Sequence, residues 1–126
     1  MSGFPATIDL LAAADALTDY WSPRIVAQVN DQYIKVARLR GSFVWHAHED
    51  EDELFYVLRG HLRIAYQDRP AVELSEGSIH VVPRGVQHNP VAAEECWIVL
   101  IEPVTTRHTG ATESPLSKTI AQQLMR

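Results

Sequence analysis

From residue 25 to residue 102 the chain is divided into short apolar runs, each closed by glycine, proline, asparagine or aspartate. Residues 25–29, 33–40, 53–59, 61–67, 71–74, 79–82 and 97–102 read as strands. Asn30 with Asp31, Gly60, Asp68 to Pro70, and Ser75 to Gly77 read as the turns between them. Runs this short, punctuated about every eight to twelve residues, leave little room for long helices and point to an antiparallel sandwich or barrel. A chain of 126 residues is one domain's worth and buries about two-thirds of its unfolded surface, so it needs no staples.

One stretch departs from this plain pattern. After Gly41 come His46 and His48, then the acidic run Glu49, Asp50, Glu51 and Asp52, then Glu53 at the head of the apolar run from Leu54 to Leu58, and then Gly60. Residues two apart on an extended strand leave it on the same face, so the two imidazoles share a side. The polar run turns the chain, and a strand–turn–strand hairpin brings the Glu53 carboxylate back beside them. Imidazoles with a carboxylate are a ligand set for Fe, Mn, Ni, Cu, Co or Zn. Further on, Gly77 opens a β run that ends in Pro83, Arg84 and Gly85, with His88 just beyond. Pro83 pre-sets a turn and Gly85 accepts positive φ, so His88 is a fourth candidate ligand, delivered from a defined bend.

These two stretches resemble the cupin superfamily. Its first motif is matched by Gly41, His46, His48, Glu53 and Gly60, with four residues rather than five after Gly41. Its second is matched by Gly77, Pro83, Gly85 and His88, with Ala92 where the family has Asn. The resemblance runs from about Lys35 to Pro103. It implies an all-β, antiparallel double-stranded β-helix, the jelly-roll cupin barrel. It also implies His46, His48, Glu53 and His88 as ligands to one divalent metal ion. The family includes dioxygenases, isomerases, decarboxylases and proteins that only bind ligands.

The remaining features bound the function. A net charge of −5 with no Lys/Arg cluster disfavours a nucleic-acid partner. The first residues lack the basic start of a signal peptide, and no apolar run is long enough to span a membrane. A single cysteine, Cys96, fits a reducing compartment. The expectation is a cytoplasmic protein with a small-molecule ligand. Three segments are expected: an N-terminal helix and arm over residues 1–22, the barrel over 23–104, and a tail over 105–126. Thr7 or Asp9 is placed to cap a helix reaching about Thr18, and a short helix is expected from about Ser117.

Two strands are apolar on both faces. In residues 53–59, Phe55 and Val57 lie on the Glu53 side, with Leu54, Tyr56 and Leu58 opposite; in residues 97–102, Trp97, Val99 and Ile101 oppose Ile98 and Leu100. A barrel interior takes only one side of each strand. The outer side needs a cover, and a homodimer using Leu54, Tyr56 and Leu58, or Ile98 and Leu100, is expected to supply it. Among other candidates, His61 reads as exposed, and His80 as hydrogen-bonded or cavity-lining. His108 matters only if the tail folds over the barrel mouth. The acidic run 49–52 reads as a solvated tip, which Arg38, Arg40 and Arg84 are placed to offset. Trp45 and Phe55 are candidate pocket walls, and His80, Tyr66 and Glu102 candidate proton-handling groups. Two functions follow: a metal-dependent enzyme of the oxygenase or isomerase kind, or a non-catalytic ligand-binding or metal-binding protein.

Overall fold

The computed structural model describes residues 4–124. Helix α1 (Leu10–Asp15) precedes strands β1 (Arg24–Val29), β2 (Gln32–Ser42), β3 (Glu53–Arg59), β4 (Leu62–Tyr66), β5 (Val72–Leu74), β6 (Ile79–Val82) and β7 (His88–Pro103); α2 (Ile120–Leu124) follows. Residues 1–3 and 125–126, the outer ends of the expected arm and tail, lie outside the described residues.

Strand β7 is the spine of the molecule. Its first part pairs with β4, from Tyr66 against His88 to Arg63 against Val91. Its second part lies between β2 and β3 and is antiparallel to both. The sheet therefore runs β1, β2, β7, β3, β6, with β4 and β5 attached to the start of β7. This is an antiparallel jelly-roll barrel. It corrects the hairpin expected over residues 41–60: β2 and β3 are separated by β7, and β2 ends at Ser42. Period-two patterning fixes which face a strand buries, but not which strand lies beside it.

The inner face of the barrel holds Ala37 and Leu39 of β2, Phe55 and Val57 of β3, Leu62 and Ile64 of β4, and Ile98 and Leu100 of β7. Ile98 and Leu100 are thus core, not interface. Their neighbours Trp97 and Val99 face outward and are covered by Ala14 and Leu17, so α1 does shield part of the outer face. Asp9 is the N-cap of α1, its carboxylate accepting from the Ala12 N–H at 3.1 Å. The helix stops at Asp15, short of Thr18. Beyond it, Trp21 reaches the barrel mouth and stacks on Phe43 at 4.7 Å between ring centroids.

The outer face of β3 and β6 is left less covered. Leu54 pairs with Val81 and Tyr56 with Ile79, and Ile79 and Val81 are 60% and 44% exposed. The polar tail is also ordered. Thr105 donates to Glu51 at 2.8 Å. Gly110 sits so close to the backbone of Ala47 that a Cβ would collide with the Ala47 carbonyl. The tail is thereby fastened to the segment between His46 and His48.

Candidate metal centre

His46 and His48 leave the chain just past β2, Glu53 heads β3, and His88 heads β7. One ligand atom from each lies within 4.8 Å of every other, and all four residues are buried. The Glu53 Oε1 is 3.3 Å from His48 Nε2 and 3.5 Å from His88 Nε2. Ligands about 2.0–2.2 Å from a common ion stand at such separations from one another.

Each element contributes a definite part of this arrangement. His46 and His88 form an antiparallel bridge: the His46 N–H donates to the His88 carbonyl at 3.0 Å, and the His88 N–H returns the bond at 2.9 Å. Gly85 takes φ of +76° in the turn before His88. Its N–H donates to the His48 carbonyl at 2.7 Å. The Arg84 N–H donates to Asp52 Oδ1 at 2.9 Å. The acidic run is therefore not only a solvated tip: Asp52 fastens the second motif's turn to the first motif's loop, and Glu51 holds the tail.

The imidazole tautomers follow from their partners. His46 Nδ1 faces the Val44 carbonyl at 2.9 Å, and His88 Nδ1 faces the Val86 carbonyl at 3.0 Å. A carbonyl only accepts, so each Nδ1 carries the proton and each Nε2 keeps its lone pair. Burial, reinforced by His88, lowers the His46 pKa to about 4, so this ring is neutral near pH 7. The His88 Nε2, both His48 nitrogens and Glu53 Oε1 are buried with no hydrogen-bond partner. Buried polar atoms are rarely left so. Four converging side chains, three of which (His48, Glu53 and His88) present buried atoms without partners, fit a divalent cation by the chemistry of the donor set.

Behind Glu53 lies a second buried group. The Lys35 Nζ donates to Glu102 Oε2 at 2.7 Å, and both residues are at most 2% exposed. Burial holds the Glu102 carboxyl well above its ordinary range, and the adjacent Glu53 charge pushes the same way. Burial also works to raise Glu53, but the neighbouring Glu102 carboxyl and then the imidazoles of His48 and His88 outweigh it, and its pKa falls well below the ordinary value. The two shifts run in opposite directions, so Glu53 is the stronger acid of the two, and Lys35 pairs with Glu102. Lys35 was not singled out from the sequence. The available signal was a lysine alternating with Ala37 and Leu39 on the face of β2 that points inward.

The cavity beside His46 and Glu53 measures about 30 Å³ and, apart from these two and His108, is walled mainly by apolar residues that include Trp21, Phe43, Phe55 and Leu100. This is room for one or two water-sized groups. Phe55 is the expected wall, whereas Trp45 is 39% exposed and its place is taken by Trp21 and Phe43. No arginine is among the described residues lining the cavity: Arg38 pairs with Glu95, and Arg84 with Asp52. His80 is hydrogen-bonded, its Nε2 2.7 Å from the Tyr66 hydroxyl. His61 is exposed and paired with Glu73. The tail brings His108 to the cavity wall, 5.0 Å from the Phe43 ring centroid.

The family model for the cupin domain matches residues 35–102, more than half of the chain. The uncharacterised protein YdbB of Bacillus subtilis is 34% identical over 80 residues, which cover 64% of this chain and 71% of that protein. The crystal structure of a cupin-2 domain containing protein from Shewanella frigidimarina superposes with a TM-score of 0.73 at 43% identity, covering 76% of this chain and 93% of that one. Protein NMB1881 from Neisseria meningitidis gives a TM-score of 0.72 at 30% identity, with 78% and 99% covered. The match spans both histidine-bearing segments and the four strands between them, and the chain belongs to the cupin family.

Proposed function

We propose that this protein is a mononuclear metal-binding cupin. His46, His48, Glu53 and His88 hold one divalent ion, and a small oxygen-donor organic molecule is bound or transformed beside it. The observation that carries the reading is the convergence of four buried ligand atoms within 4.8 Å, several of them without a hydrogen-bond partner. A divalent metal held there supplies Lewis acidity and open positions for an oxygen donor. The chain itself supplies fixed imidazole tautomers, a charged Glu53, and an apolar cavity that restricts water. Elemental analysis and calorimetry test the reading. About one metal per chain is expected, and protein that binds no divalent metal overturns it.

A second reading, a metal-binding or ligand-binding cupin without catalysis, is favoured by one observation. The groups placed to move protons are already engaged: His80 with Tyr66, and Glu102 with Lys35. A substrate screen with each metal separates it from an oxygenase or isomerase. We also propose a cytoplasmic homodimer. The exposed Ile79 and Val81 beside Leu54 and Tyr56 support the dimer, and the free, buried Cys96 fits a reducing compartment. Light scattering that shows a monomer at tens of micromolar overturns the dimer.

A further inference from the structure

The tail carries a histidine that belongs to neither motif and is not part of the ligand cluster. His108 stands between two spaces. On one side is the small cavity with His46 and Glu53. On the other is a cleft of about 520 Å³ formed by the tail itself, whose lining includes Arg107, Thr109, Thr112, Ser117 and Lys118. His108 is thus a wall common to both spaces.

The ring is also held in one state. The Lys118 N–H donates to His108 Nδ1 at 2.9 Å. A nitrogen that accepts is unprotonated, so Nε2 carries the proton. Nε2 has no hydrogen-bond partner among the described residues. Burial, with Lys35 nearby, lowers the His108 pKa to about 3. The ring is then a neutral donor with one free N–H. Its position is fixed by contact with Phe43, by the clamp of Gly110 on Ala47, and by the tie between Thr105 and Glu51.

We propose that His108 is a ligand-recognition residue, which donates its Nε2 hydrogen to the anionic oxygen of a small carboxylate bound at the metal, while the rest of that ligand lies in the tail cleft. The inference rests on the metal-binding reading above. Among the charged residues lining the cleft are Arg107 and Lys118, opposed by Glu113. This favours an anion, and the cleft's hydroxyls favour a polar one. A divalent ion with three neutral imidazoles and one carboxylate keeps a net positive charge, which attracts the same group. The polar tail is therefore the part of this chain that sets which ligand reaches the metal.

The test uses the full chain loaded with Co(II), whose visible spectrum reports a change of ligands. Acetate and lactate are the probes. His108→Phe keeps a ring against Phe43 and removes the donor; His108→Gln keeps a donor on a different stem. Calorimetry first measures Co(II) affinity in all three proteins, and circular dichroism confirms that each is folded. The expected result is Co(II) affinity within about twofold of the parent, since His108 is not a ligand. Carboxylate affinity should be about tenfold or more weaker in His108→Phe, as for the loss of a hydrogen bond to a charged group, and partly restored in His108→Gln. Parent-like carboxylate binding by His108→Phe overturns the inference and leaves the metal site standing. Absence of Co(II) binding by the parent overturns both.

Discussion

His46 and His88 are joined through their backbones before any metal is considered. Each donates its N–H to the other's carbonyl, at 3.0 and 2.9 Å, and their rings stand 4.3 Å apart between centroids. The two motifs, distant in sequence, are thus held in register by main-chain bonds that do not depend on the side chains. The candidate metal site is preorganised in this sense, and its geometry and its proposed affinity can be separated by mutation.

Replacing His88 by Ala exploits that separation. It removes one of the four proposed ligands, and metal affinity should fall by more than about 100-fold, beyond the loss usual for a group that only supports a ligand. The bridge to His46 remains, so the far-ultraviolet circular dichroism should be unchanged and unfolding should stay cooperative. Calorimetry checks the first part and thermal melting the second. Full metal affinity in His88→Ala would remove this residue from the ligand set.

Gly85 is the converse case. Its φ is +76°, and a Cβ built there meets nothing within 4 Å. Any cost of a side chain is therefore conformational rather than steric crowding from neighbours. Gly85→Val should destabilise the protein by about 1–2 kcal/mol, the penalty of a left-handed conformation, and Gly85→Asn by less. Urea unfolding of the metal-free protein measures both. A valine variant as stable as the parent would mean that the turn is not held at positive φ.

The four residues of the buried cluster were legible in the sequence because local spacing sets them: two histidines two apart, a carboxylate after a turn, and a histidine after Pro83 and Gly85. Strand faces were legible for the same reason, with Phe55 and Val57 buried on the Glu53 side. The order of strands was not. The pairing of β7 with both β2 and β3 joins residues far apart in the chain. The first half of β7 was missed because Asn89, Pro90, Glu94 and Glu95 interrupt its apolar pattern. Pro90 is tolerated there as an acceptor, its carbonyl taking the Phe43 N–H at 3.0 Å. The tail's place over the barrel mouth also left no hydrophobic trace, since hydroxyls and one close glycine contact fasten it.

Lys35 and Glu102 give a third prediction. Both are buried, and the lysine is the ion-pair partner of Glu102. Lys35→Met removes it and leaves Glu102 buried without that partner. The metal-free variant should lose roughly 3 kcal/mol, the lower end for breaking a buried pair, because the raised pKa of Glu102 eases its neutralisation once the partner is gone. Lys35→Met combined with Glu102→Leu should recover most of that, since an apolar pair replaces a polar one of similar size. Equilibrium urea unfolding decides the matter. A single variant within about 0.5 kcal/mol of the parent would show that Lys35 is not needed to balance Glu102.

Glu95 ties the N-terminal arm to the barrel and gives a prediction about pH. It accepts from the Tyr20 hydroxyl at 2.7 Å, from Trp97 Nε1 at 2.7 Å, and from two Arg38 nitrogens at 3.1 and 2.6 Å. These bonds, Trp97 first, then Tyr20 and Arg38, lower its pKa to about 2. Because the folded pKa lies below the unfolded one, the unfolded chain takes up the proton first as pH falls. The contribution of Glu95 is complete above its ordinary value of 4.5 and disappears as pH drops towards 2. Glu95→Gln should therefore melt below the parent near neutral pH, and the gap should close across that acid window. Melting curves of both proteins over the same pH series cancel the other carboxylates from the comparison. A gap that stays constant down to about pH 2 would show that the carboxylate charge, as distinct from its hydrogen bonds, does not hold the arm in place.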